Sequence, residues 1–146
     1  MISFEVYNFL ELNTVQLYQL LKLRAEVFVV EQKCAFQDLD GVDYECIHIL
    51  GYDDGELFGY SRIVAPEALY KEASIGRVVV SQKHRANGYG KELFKYANEL
   101  CLTRHAGHSI KLMAQLYLKA FYESFGYKQI SEPFLEDDIL HIYMVK

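Results

Sequence analysis

The sequence predicts an α/β fold: a mixed β-sheet carrying helices on both faces. Three observations carry that reading. Apolar and polar residues alternate with period two near both ends of the chain, in Ile2 to Phe9 and Ile139 to Val145, which marks strands. Between the strand-like runs Cys46 to Tyr52 and Leu57 to Ala65 lies Asp53-Asp54-Gly55-Glu56. An Asp-Gly pair there is a strong hairpin signal, because glycine accepts the positive φ of the tight turn. Beyond that hairpin, strand-like and helix-like patterns alternate, as they do when crossovers cover both faces of a sheet.

Each element follows in turn. Ile2 to Phe9 is the first strand, and Asn13-Thr14 supplies a helix cap. Leu17, Leu20, Leu21, Arg24 and Phe28 then fall at helical spacing, predicting a helix to about Val30. Glu31 to Tyr44 is polar and acidic, with Asp38, Asp40 and Asp43 close together, and reads as a loop. It is long for a connector, and long loops in compact domains tend to carry function. Pro66 closes the hairpin's second strand. Ser74 to Val80 holds Ile75, Val78, Val79 and Val80, a β-branched run suited to a central strand buried on both faces. A polar turn with Gly88 and Gly90 leads into a helix with Tyr89, Leu93, Tyr96, Ala97 and Leu100 on one face, ending before Gly107. Ser109 to Gln115 is a strand, and Leu116 to Phe125 a short helix stopped by Gly126. Tyr127 to Ile130 and Ile139 to Val145 complete the order β-α-β-β-β-α-β-α-β-β.

Composition bounds the function. The 146 residues suit one domain, residues 1–146, and such a length buries roughly 70% of its unfolded surface. With 51% hydrophobic and 14% aromatic residues the chain is too apolar to be disordered. Fifteen Lys and Arg against 20 Asp and Glu leave a net charge of −5, which argues against nucleic-acid binding. No apolar run approaches the ~20 residues of a membrane span, and the N-terminus does not read as a signal peptide. Cys34, Cys46 and Cys101 are odd in number and unclustered, which suits free thiols in the cytoplasm rather than disulfides or a metal site.

Chemistry concentrates in Val78 to Lys91. A strand runs into a turn, then into a helix whose first residues include two glycines. Free N–H groups and the positive dipole end of a helix make an anion site, and glycines let an anion reach the backbone. His84, Arg85 and Lys91 add positive charge, so phosphate is the natural guest. A Walker A loop is absent, since Glu92 follows Gly90-Lys91, and Leu93 breaks the dinucleotide fingerprint. On spacing alone, a plain tight turn explains Gly88 and Gly90 equally well.

Arg85-x-x-Gly88-x-Gly90 after a valine-rich strand resembles the acyl-CoA pyrophosphate loop of the GNAT superfamily of N-acetyltransferases. Ala120-Phe121-Tyr122-Glu123-Ser124-Phe125-Gly126-Tyr127 is similar to that superfamily's C-terminal F-Y-x-x-x-G segment. Leu23 to Gln32, Asp38-Leu39-Asp40-Gly41, Ile75 to Val80 and Lys111 to Gln115 extend the likeness to the ElaA-like branch, over nearly the whole chain.

The resemblance implies a GNAT (acyl-CoA N-acyltransferase) fold, with a mostly antiparallel sheet splayed between its fourth and fifth strands. It implies acetyl-CoA as co-substrate, with no metal, and direct transfer of the acetyl group to a primary amine of a small molecule or peptide. By position, Val78 and Val80 offer backbone contacts to the pantetheine arm. Arg85, Ala86, Asn87, Gly88, Tyr89, Gly90 and Lys91 would hold the pyrophosphate, and Tyr122 would be the general acid that protonates the leaving thiolate. Many relatives carry a carboxylate near the start of the fourth strand, where this chain has Ser74 with Glu72 beside it. The base is therefore Glu72, a histidine on a cleft-lining strand (His48 or His141), or ordered water. Arg24, Glu31, Asp40 and His48 are expected on the acceptor side, where acidic residues would attract a cationic amine or merely face solvent. His84 and His105 are expected at the solvated surface. Relatives often pair, which leaves a homodimer open. The competing readings are a non-catalytic acyl-CoA-binding or sensing module and a nucleotide-dependent enzyme, the latter weakened by the missing Lys-Ser/Thr pair.

Overall fold

The computed structural model describes the whole chain, Met1 to Lys146. Its strands are β1 (Ile2–Asn8), β2 (Ile47–Asp53), β3 (Glu56–Val64), β4 (Ala73–Val80), β5 (Ile110–Gln115), β6 (Lys128–Gln129), β7 (Phe134–Glu136) and β8 (Ile139–Val145). The helices are α1 (Thr14–Arg24), α2 (Tyr89–Arg104) and α3 (Lys119–Glu123). One sheet runs β1-β2-β3-β4-β5-β8-β6, with β7 also paired to β8. Every pairing is antiparallel except β4 with β5.

That exception positions everything else. β4 and β5 pair only at Ala73–Ile110 and Ser74–Lys111, whereas β3 follows β4 as far as Gly59–Val80. Beyond Ser74 the sheet parts. β4 is therefore not the fully buried strand its valines predict: Gly76, Arg77 and Val78 are half-buried. Just past the parting, Arg77 and Val78 both stand opposite Ser61, and Arg77 takes a left-handed φ of 50°. This is a β-bulge with arginine where glycine is the usual choice.

Local chemistry explains the other elements. Asn13 and Gln16 form a reciprocal capping box, with Gln16 N donating to Asn13 Oδ1 at 2.8 Å and Asn13 N to Gln16 Oε1 at 3.0 Å. The helix continues past α1 as expected, but Ala25–Glu31 widens into π-helical turns, with Gln32 N bonded to Val27 O at 3.1 Å. Asp54 and Gly55 both have positive φ, as a tight hairpin turn requires. So do Asp137 and Asp138, which turn β7 into β8. The sequence reading misses β7 because this second turn has no glycine, although aspartate also tolerates the left-handed region.

Two cores flank the sheet. On one face α2 packs Leu93, Phe94, Ala97 and Cys101 against Ile63, Ile75, Leu112 and Ile142. The buried stripe of α2 is thus rotated from the expected one, and Tyr96 and Leu100 lie at its rim. Phe94 meets Phe121, Tyr122, Phe125 and Tyr127 edge-on at 5.0–5.9 Å. Such pairs contribute about 0.5–1.5 kcal/mol each beyond area, which anchors the short α3. On the other face Leu20, Leu23 and Val27 cover Leu50, Tyr60 and Val79.

Candidate active site

The parted strands open a cleft of about 630 Å³. Its walls are β4 from Ile75 to Val80, Leu112, Met113 and Gln115 of β5, the π-helical turn, and Tyr122 of α3. Strand alternation gives the cleft two sides. Leu112, Ala114, Ile142 and Met144 join the α2 core. Met113, Gln115, Ile139 and His141 therefore face the opposite side, where the π-helical turn and the loop after it contribute Val27, Phe28, Glu31 and Phe36.

At one end stands the turn before α2. Ala86 and Gly88 have φ of 68° and 75°, and Gly88 caps the helix without a side-chain bond. The N–H groups from Ala86 through Lys91 donate to no protein acceptor. Asn87 and Lys91 are exposed. A Cβ on Gly90 would lie 3.7 Å from Val80 Cγ2, an ordinary contact, so packing within the protein does not demand glycine there. Arg85 bridges inward: its guanidinium donates to Val80 O at 3.2 and 3.1 Å and to both Glu31 carboxylate oxygens at 2.6 and 2.9 Å. Tyr89 donates its hydroxyl to Asp53 at 2.9 Å and packs on Phe58, tying the turn to the β2–β3 hairpin. His84 is buried, not solvated, because its Nδ1 lies 2.6 Å from Ser81 Oγ against the Phe58 ring. His105 is half-buried at the end of α2, where desolvation first and the neighbouring His108 and Arg104 lower its pKa.

The polarity of β4 follows from one bond. Ser81 N–H donates to Phe58 O of β3 at 2.8 Å, so the backbone of Val80, one residue earlier, points to the open edge. Tyr122 lines the cleft with its ring against Phe94, and its hydroxyl has no protein partner. Burial pushes its pKa up to about 12, so the phenol stays protonated at neutral pH.

The acceptor-side expectations need correction. Arg24 is fully buried and cannot meet a substrate. It donates to Asp38 at 2.9 Å and to Asp43 at 2.8 and 3.2 Å. Arg62 grips Asp40 at 2.9 and 2.6 Å and Asp43 at 2.8 Å, while Arg77 reaches Asp38 at 2.8 Å and Asp40 at 3.3 Å. Asp40 is thus a strut paired with two arginines outside the cleft lining, and the loop's three aspartates are engaged by arginine rather than free to lure an amine, although Leu39, Asp40 and Gly41 face solvent. His48 is fully buried on β2, its ring held between Tyr60 Oη at 2.6 Å and Asp43 O at 2.9 Å. Glu72 precedes the closed stretch of β4, behind the parting, and does not line the cleft. Glu31 does line it, already paired with Arg85. Arg62 and Arg77 were the residues sequence reasoning passed over; their only signal was arginine inside otherwise apolar strands.

A sheet that parts between two parallel strands, with a free-amide turn at its mouth, is the scaffold of an acyl-CoA N-acyltransferase. Residues 19–146 match the family model described as acetyltransferase (GNAT) domain, and the chain belongs to that family. Over its full length it is 40% identical to protein ElaA of Escherichia coli (strain K12), spanning 97% of that protein. It is similar to the crystal structure of an acyl-CoA N-acyltransferase from Pseudomonas aeruginosa, with TM-score 0.95, 36% identity and coverage of 100% and 99% of the two chains. The crystal structure of Escherichia coli ElaA gives a TM-score of 0.94 at 39% identity, with the same coverage. An aminoglycoside 6′-N-acetyltransferase complexed with coenzyme A shares the fold alone, with TM-score 0.70, 21% identity and coverage of 97% and 96%.

Proposed function

We propose that the protein is an acetyl-CoA-dependent N-acetyltransferase that passes the acetyl group directly to a primary amine of a small molecule or peptide. One observation carries this reading. The cleft reaches Val80 and Arg85, where the turn with its unsatisfied amides begins, and holds a protonated, unpartnered phenol within. The residues fit the co-substrate: the Ala86 to Lys91 amides suit a pyrophosphate, with Lys91 beside them, and the backbone of Val78 with the N–H of Val80, whose carbonyl Arg85 occupies, suits an amide-bearing arm. Arg85 holds the turn against β4.

Acyl transfer needs a neutral amine, a stabilised oxyanion and a proton for sulfur. The amine nitrogen attacks the thioester carbonyl carbon, and the C–S bond breaks as the carbonyl re-forms. Backbone N–H groups at the β4 bulge polarise the carbonyl oxygen. Tyr122 gives its proton to the departing thiolate. Cys34 is the cleft's thiol, and burial with the Asp137 and Asp138 charges pushes its pKa up, which disfavours a covalent thioester on the enzyme. Free Cys34, Cys46 and Cys101 support a cytoplasmic setting.

The test is Tyr122→Phe. Turnover should fall about 10²-fold, the usual share of a general acid, while acetyl-CoA affinity by calorimetry stays the same. Full turnover in the variant would remove Tyr122 from the chemistry. Tight acetyl-CoA binding by the wild type, with no coenzyme A release on any of a panel of amines, would favour a binding or sensing module.

A further inference from the structure

Resting on that reading of the cleft, we infer that His141 is the general base that takes the proton from the acceptor ammonium. His141 sits on β8 directly opposite Gln115, the last residue of β5, and lines the cleft on the side away from α2. Tyr122 belongs to the α2 side, packed against Phe94. An acyl group lying in the parting between β4 and β5 would thus have its acid on one side of the sheet and a base on the other. Direct transfer needs a proton donor near the sulfur and a proton acceptor near the attacking nitrogen, and this division supplies one of each.

The hydrogen bonding of the ring decides which nitrogen can act. Nδ1 lies 2.7 Å from the carbonyl oxygen of Ile139. A carbonyl only accepts, so Nδ1 carries the hydrogen and Nε2 presents its lone pair. Nε2 has no protein partner, and it is not among the side-chain atoms sealed from solvent without one. The ring lies against Phe134 of β7, with centroids 6.2 Å apart and planes 26° apart, which fixes its direction. His141 is only 8% exposed, so the structure holds this imidazole in place rather than leaving it free on the surface.

The ionisable neighbours in the cleft are otherwise engaged or poorly suited. Glu31 is paired with Arg85, and Arg77 with Asp38 and Asp40. Glu136 and Asp137 lie exposed on the β7–β8 hairpin, where carboxylates are weak bases for an ammonium. Burial and the Asp137 and Asp138 charges raise the pKa of Cys34, which keeps it a neutral thiol. Imidazole is the side chain whose basicity suits proton transfer near neutrality. The protons balance. Nε2 takes one from the ammonium and releases it to water, and the proton shed as the amide forms replaces the one Tyr122 gives to sulfur. One proton is released for each acetyl group transferred.

Two measurements test this. Nitrogen-15 NMR of the wild-type histidines reads the tautomer without any acceptor, and the Nδ1–H form is expected for His141; an Nε2–H form would overturn the inference. His141→Gln and His141→Ala are then compared with wild type in thiol release from acetyl-CoA, with spermidine, L-lysine and a lysine-containing peptide as amines. The kcat should fall about 10²-fold with the acetyl-CoA Kd unchanged. The ratio of variant to wild-type rate should change with pH, the amine's own ionisation cancelling in that ratio, and added imidazole should restore His141→Ala. A purely structural role would give a pH-independent ratio and no rescue, which would also overturn the inference. Wild-type protein that does not bind acetyl-CoA would instead defeat the acyl-transfer reading on which it rests.

Discussion

Gly88 shows how one residue's backbone can set a site. Its φ of 75° would be open to Val only at a cost of about 1–2 kcal/mol, although nothing in the protein lies within 4 Å of an added Cβ. The penalty at this position is therefore conformational and local to the turn. Gly88→Val should weaken acetyl-CoA binding by about tenfold or more through misdirected amides, with a small loss of melting temperature. Arg85→Ala should weaken it less, because its contacts are to Glu31 and Val80 rather than to the turn's own amides. Isothermal calorimetry on both variants checks the order. Unchanged affinity in the two would remove the loop from the site. The sequence carried the turn well, since glycine spacing reports backbone needs directly. It could not carry Tyr89, whose hydroxyl partner Asp53 is 36 residues away.

At the scale of the element, the loop after the π-helical turn is the clearest departure from the sequence reading. Its aspartates look like a charge run, and local sequence gives no sight of the arginines that neutralise them, on α1, β3 and β4. Long-range pairing is invisible to periodicity, and so is the consequence that Arg24, His48 and Asp40 serve the scaffold. Arg24→Met should cost about 1–3 kcal/mol in urea denaturation, because it removes one of the two arginines that bond each of Asp38 and Asp43, leaving Arg77 and Arg62 to hold them. A loss below 1 kcal/mol would mean the loop is held by other contacts. Arg77 joins this loop to the β4 bulge, so the acidic loop and the open stretch of β4 share one ion network. The hairpins, the capping box and the order of helices were legible, by contrast, because their determinants lie within a few residues.

The whole molecule should lose stability with acid in two stages. Burial first of all lowers the pKa of His48, so the folded state keeps it neutral while the unfolded chain binds a proton below about 6.5. Stability conferred by this neutral ring is present above that pH and falls as pH drops through it. Asp40 and Asp43 are also desolvated, which alone would raise them, but hydrogen bonds from Arg62 and Arg24 respectively outweigh that and hold both carboxyls below the ordinary range. Their contribution is intact above about pH 4 and is lost below it. Urea midpoints should therefore decline gently from pH 7 to 5 and steeply under pH 4, and His48→Gln should flatten the first decline. A flat wild-type profile between pH 7 and 5 would refute the role given to His48.

The short β4–β5 ladder makes the sheet two blades hinged at a single pair of rungs. A molecule lying lengthwise along β4 would act as a substitute strand, filling the edge the backbone leaves bare and splinting the blades together. Occupancy and rigidity would then share one lever: the sheet would be stiffest with the cleft filled, and emptying it would loosen the frame.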